Sequence, residues 1–149
     1  MRLPNYIDDL ETWKNEFSFS TEIKVRFSET DMFGHVNNVS PFIYFEEART
    51  DYFNALKYTL DDTSTSIPIV ADLQCDYHKE IYFGNTLNVF VKVNQAGNSS
   101  IDIHYMGVNE KDEICLTGRG ALVNIDPKTK KAVPLDENLK AKMLESISS

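Results

Sequence analysis

Residues 31 to 38 read Asp31-Met32-Phe33-Gly34-His35-Val36-Asn37-Asn38, and Val39-Ser40-Pro41 follows. Upstream, Ile23, Val25 and Phe27 alternate with Lys24, Arg26 and Ser28, which predicts a half-buried strand over residues 22–28. Downstream, Ser40 is a preferred N-cap and Pro41 suits the first helical position. Phe42, Phe45, Tyr52, Phe53 and Leu56 then recur at helical spacing, predicting a helix over residues 40–57. Tyr44 and Ala48 widen its apolar stripe, and Glu46 and Arg49 are spaced to pair on its wet side. The quoted stretch is therefore a turn between a strand and a helix start. An acidic residue placed there faces backbone N–H donors, an arrangement suited to stabilising an oxyanion.

Outward from this point the chain becomes strand-rich. A polar loop over residues 61–66 precedes an alternating run in which Ile69, Ala71, Leu73, Cys75 and Tyr77 share a face. Gly84-Asn85 ends it, and Leu87, Val89, Val91 and Val93 form the next set. Ala96-Gly97-Asn98-Ser99 reads as a hairpin turn before Ile101, Ile103 and Tyr105. In the last strand Ile114 and Leu116 are out of phase with Ala121, Val123 and Ile125, which predicts a β-bulge between Gly118 and Gly120. Short helices are expected over residues 7–16, with Leu10 and Trp13 on one side, and after Leu135, with Leu139 and Met143 inward. One strand, one long helix and four further strands make an α+β class with a five-stranded antiparallel sheet, as a single domain over residues 1–149.

Composition narrows the function. The 23 acidic residues against 15 basic ones give a net charge of −8, which argues against non-specific nucleic-acid binding. No apolar run is long enough to span a membrane, and residues 1–20 are acidic and polar, unlike a secretion signal. Cys75 and Cys115 are too few for a disulfide framework or metal site, and His78 and His104 lack ligand spacing, so no metal is expected. The reading is a soluble cytoplasmic protein with no cofactor.

Single residues admit two readings each. Asp31 is either a catalytic carboxylate or a turn residue capping its own backbone. His35 is either a substrate hydrogen-bonder and acid or a locally packed turn residue. The side chains of Asn37 and Asn38 suit turn and helix-start hydrogen bonds, since Asn transfers no protons at neutral pH. The backbone N–H of Asn38 is a separate candidate, resting on helix geometry. Glu29 either shares a face with Asp31 and perturbs it or is solvated apart. Glu46 and Glu47 are alternative carboxylates or surface partners of Arg49.

The chain resembles the hotdog-fold thioesterases of the 4-hydroxybenzoyl-CoA thioesterase type, over roughly residues 21–127. The matching landmarks are Asp31 to Gly34, His35 to Asn38, and Tyr44-Phe45-Glu46-Glu47-Ala48-Arg49. Further on they are Asp76-Tyr77-His78-Lys79, Phe83-Gly84-Asn85, and Gly118 or Gly120 ahead of Asp126. The resemblance implies a curved antiparallel sheet wrapped around one long helix, and Asp31 as nucleophile or general base. It implies the N–H of Asn38 as oxyanion donor, His35 in the catalytic set, and Gly34, Asn37, Phe42, Tyr77 and Lys79 as substrate-binding. Arg119 is a further candidate for phosphate contact. Glu80 stands where the family often carries Pro, and Phe33 where plant acyl-carrier-protein thioesterases carry Asn.

The expected activity is hydrolysis of an acyl-CoA thioester to free acid and CoA, in a homodimer or homotetramer with the acyl pocket between subunits. The alternatives are an acyl-acyl-carrier-protein thioesterase, which the acidic charge disfavours by like-charge repulsion, and a non-catalytic acyl-CoA-binding module.

Overall fold

The structure, a computed structural model, describes residues 1–58 and 64–148, the last three by backbone alone. Helix α1 (Leu10–Asn15) and strand β1 (Phe19–Lys24) lead into a 3-10 turn, Phe27–Glu29. Helix α2 (Ser40–Ala55) follows, then β2 (Ile67–Val70), β3 (Gln74–Tyr77), β4 (Thr86–Ala96), β5 (Ser100–Val108), β6 (Ile114–Ile125) and α3 (Glu137–Ser148). The sheet is antiparallel with order β1-β4-β5-β6-β2, and β3 continues along the β6 edge that β2 occupies. Five strand positions thus hold six strands. Of the polar loop expected over residues 61–66, residues 61–63 lie outside the described residues.

Helix α2 lies against the inner face of this sheet. Tyr44, Phe45, Ala48, Tyr52 and Phe53 pack on Leu87, Val89, Val91 and Val93 of β4 and on Ile101, Ile103 and Tyr105 of β5. The Phe45 ring stacks on Tyr105 at 4.4 Å between centroids, 13° from parallel. Burying each such side chain contributes roughly 1.5–3 kcal/mol, so this layer supplies most of the driving force. Leu139 and Met143 of α3 complete the same core, as their spacing predicts.

The outer face is covered too, by the N-terminal segment. Ile7 and Trp13 pack on Met106 and Val108. Beneath them the Trp13 indole donates to His104 Nδ1 at 2.9 Å, and His104 Nε2 lies 3.1 Å from Asp102. Asp102 also accepts from Arg119, while buried Lys92 pairs with Glu16. Burial on both faces explains why β5 carries apolar and polar residues without a solvated side.

Several sequence expectations give way here. The first strand stops at Lys24, and Phe27, expected inward, is 76% exposed. The cause is Glu29, whose carboxylate accepts from the Arg26 N–H at 2.8 Å and from its guanidinium, folding residues 26–29 into a turn. The run over residues 69–77 divides because Asp72 Oδ1 takes the Ala121 N–H at 2.8 Å. The β2 and β3 registers on β6 differ by one residue across that point. The slip predicted between Gly118 and Gly120 therefore lies in the facing strand, while β6 stays in register with β5 until Gly107. Leu122, not Ala121 or Val123, enters the core. Arg49, expected on the wet side, is buried beside Tyr105, although Glu46 stays within 3.7 Å of it.

Candidate active site at the start of the long helix

Asp31 opens the turn, and its side chain is half committed. Oδ1 accepts from the Phe33 N–H at 2.8 Å and the His35 N–H at 3.3 Å, while Oδ2 meets no partner among the described residues. The backbone adds two bonds, Asp31 N–H to His35 O at 2.8 Å and Gly34 N–H to Asp31 O at 3.1 Å. Gly34 sits at φ 83°, the left-handed region that the tight turn requires. The turn-capping and reactive readings of Asp31 are thus compatible: one oxygen holds the loop and the other is free.

The helix start differs from the sequence reading. Val39 holds the N-cap position without a side-chain bond, and Ser40 is already helical and buried. Capping comes from Asn37, whose Oδ1 accepts from the N–H groups of Val39 at 3.0 Å and Ser40 at 2.8 Å. Asn37 is itself fixed by its N–H to Glu29 O at 2.9 Å. Pro41 has no N–H, and Phe42 donates to Val39 O at 3.1 Å. The N–H of Asn38 is left without an acceptor among the described residues. The Asn38 carbonyl accepts the hydroxyl of Tyr77, which fixes the Asn38–Val39 peptide immediately after that N–H. Burial and the neighbouring Cys75 push the Tyr77 phenol up to about 12, so it remains a donor at neutral pH.

Asn37→Ala removes the cap. The expected cost is about 1 kcal/mol, read as a melting temperature lower by roughly 2–4 °C together with reduced activity, because the Asn38 peptide loses its support.

Glu29 is not a second reactive carboxylate. It is buried and accepts from Arg26 and, at 3.0 Å, from the Tyr44 hydroxyl. Burial alone would raise its carboxyl; the Arg26 N–H, the Arg26 guanidinium and the Tyr44 hydroxyl outweigh that and hold it below the ordinary range. A depressed folded value stabilises the fold above the unfolded value, about 4.3, and that stability is lost as pH falls through the folded value. Glu29→Gln should lower the urea midpoint at pH 7 and flatten its decline toward acid; an unchanged acid limb would count against this.

Asp31, His35, Asn38, Tyr77 and Lys79 line one cleft of about 260 Å³, whereas Gly34, Asn37 and Phe42 do not. Gly34 and Asn37 shape the turn, and Phe42 is half-buried with its ring 6.2 Å from Phe45. The ammonium of Lys79 is taken by Glu113. Arg119 is tied to Asp102 and Asp72 and does not line the cleft. The remaining walls are Val36, Pro41, His78, Glu80, Ile81 and Leu116. Val36 N–H to Ile81 O at 2.7 Å draws the turn onto the segment after β3. His78, whose Nε2 lies 2.7 Å from Thr117 Oγ1, has its imidazole pKa lowered by burial. Among the described residues no cluster of His, Cys, Asp and Glu could hold a metal.

Residues 25–143 match the family model described as the thioesterase-like superfamily. The chain belongs to that superfamily. It is 43% identical over 147 residues to the uncharacterized protein YsmA of Bacillus subtilis, covering 98% of this chain and 99% of that one. It is 26% identical to the long-chain acyl-CoA thioesterase FadM of Escherichia coli, over 85% of this chain and 98% of that one. Among solved structures, the DHNA-CoA thioesterase of Staphylococcus aureus superposes with a TM-score of 0.77 at 30% identity, over 87% and 88% of the two chains. These relatives establish the hotdog architecture and thioester hydrolysis as the family chemistry.

Proposed function

We propose that this chain hydrolyses acyl-CoA thioesters to the free acid and CoA, with Asp31 as the reacting carboxylate and the Asn38 N–H as the oxyanion donor. One observation carries the reading. Asp31, with one oxygen free, and Asn38, with its N–H unpaired among the described residues, both line a cleft at the positive end of a 16-residue helix. The thioester carbonyl oxygen lies toward Asn38, where developing negative charge meets a fixed donor and the helix dipole. Asp31 attacks the carbonyl carbon or deprotonates the water that does so. The C–S bond breaks and the thiol departs with CoA, which is product and carrier rather than cofactor.

The acyl-CoA relative FadM and the DHNA-CoA relative support CoA as carrier. The net charge of −8 disfavours an acidic carrier protein. A homodimer or larger assembly agrees with the exposed Phe27, Met32, Phe33, Val39, Ile43 and Phe83. No helix among the described residues is long and apolar enough to cross a membrane. With two free thiols, a reducing cytoplasm is the compartment we assign.

The test is release of free thiol from a panel of acyl-CoAs, short, long and aromatic. Turnover of at least one class is expected. Tight binding of acyl-CoA with no release from any would overturn the enzyme and leave a binding module.

A further inference from the structure

We propose that Glu80 is a positioning residue of this cleft, holding the His35 imidazole by Nε2 so that Nδ1 is the nitrogen left to move a proton beside Asp31; this rests on the thioesterase reading above. Glu80 Oε2 lies 3.4 Å from His35 Nε2 and accepts the Tyr82 hydroxyl at 2.6 Å. The Tyr82 ring stands edge-on to the imidazole, 5.0 Å between centroids at 77°. His35 and Tyr82 form a β-bridge, and the Tyr82 N–H is held by Asn85 Oδ1 at 2.8 Å. The imidazole is thus walled by one aromatic ring and met by one carboxylate. No group among the described residues meets Nδ1. Both His35 and Glu80 line the cleft with Asp31, while the neighbouring cation, Lys79, is occupied by Glu113.

A neutral imidazole carries one N–H, and a carboxylate at Nε2 favours the proton there, leaving a lone pair on Nδ1. Hydrolysis breaks the acyl C–S bond, forms a C–OH bond, and moves one proton of water to the sulfur. Asp31 takes that proton from the attacking water, His35 Nδ1 carries it on from Asp31 to the departing thiolate, and Glu80 balances the imidazolium formed between the two transfers. The 3.4 Å contact is longer than a hydrogen bond, and catalytic contacts of this kind tighten when substrate binds.

As a structural pair this contact is worth little, because the Glu80 side chain is 61% exposed. Glu80→Gln should therefore melt with wild type and still differ in turnover. We expect kcat to fall about tenfold with KM within about twofold, and His35→Gln to lose about a hundredfold. Adding Glu80→Gln to His35→Gln should then cost nothing further. The His35 nitrogen NMR signals should report the Nε2–H tautomer in wild type and a mixture in Glu80→Gln. Wild-type kcat in Glu80→Gln, or full additivity in the double variant, overturns the positioning role alone. Silence of the wild type on every acyl-CoA overturns the thioesterase reading and the catalytic meaning of the pair with it.

Discussion

Asp31→Asn is expected to lower kcat/KM for acyl-CoA hydrolysis by at least about a hundredfold, some 2.7 kcal/mol of transition-state stabilisation. Asparagine is the informative replacement because the two oxygens of Asp31 do different work. Oδ1 accepts from Phe33 and His35, and an amide oxygen accepts those bonds equally well. The turn and the approach of Val36 to Ile81 are therefore retained. What disappears is the negative charge and the basic, nucleophilic oxygen at Oδ2, which an amide nitrogen cannot replace. Melting temperature and affinity for CoA should match wild type. A variant retaining more than about a tenth of the activity would remove Asp31 from the reaction and shift attention to His35. Asp31→Ala would be harder to read, since it also strips the turn of its tether.

The parts of this site that were legible in the sequence are those held by local bonds. The turn at Asp31, the left-handed Gly34 and the start of α2 all arise within a few residues, so neighbouring letters carry the signal. The capping role of Asn37 was partly hidden because it lies before the helix and reaches forward to Val39 and Ser40, while Ser40, an equally good cap, stands directly before Pro41. Glu80, His78 and Leu116 were not legible as cleft walls. Their placement depends on the pairing of β3 with β6 and on the bridge from His35 to Tyr82, which join distant parts of the chain. Phe27 was misread because alternation continues in the letters past the residue where Glu29 folds back on Arg26. Arg49 was misread because helical spacing alone does not say how far a sheet wraps. The phase of β6 failed for another reason: two inward positions are glycines, which leave no apolar letter to count.

Those glycines give the second large effect. Gly118→Ala is expected to destabilise the fold by about 3 kcal/mol, at the upper end of ordinary overpacking. A Cβ at Gly118 would fall 2.5 Å from Phe45 Cε2 and 2.7 Å from Cζ, with the Gln74 carbonyl oxygen at 2.9 Å. None of these can retreat cheaply. The Phe45 ring is fully buried and stacked on Tyr105, the cross-strand neighbour of Gly118. The Gln74 carbonyl belongs to β3, paired to β6 through the Gln74–Arg119 and Cys75–Gly118 positions. The strain is therefore shared between α2 and the edge strand, the two elements whose ends carry Asn38 and Tyr77. Activity should fall further than the fraction unfolded explains, because moving either end disturbs the Tyr77 bond to the Asn38 carbonyl and with it the backbone that carries the neighbouring Asn38 N–H. Thermal melting should show a drop of roughly 6–12 °C. A paired Phe45→Leu change, which vacates the ring edge, should recover part of that loss. If Gly118→Ala melts within about 1 °C of wild type, the close packing of Phe45 on β6 is not what holds the long helix, and with it the cleft, in place.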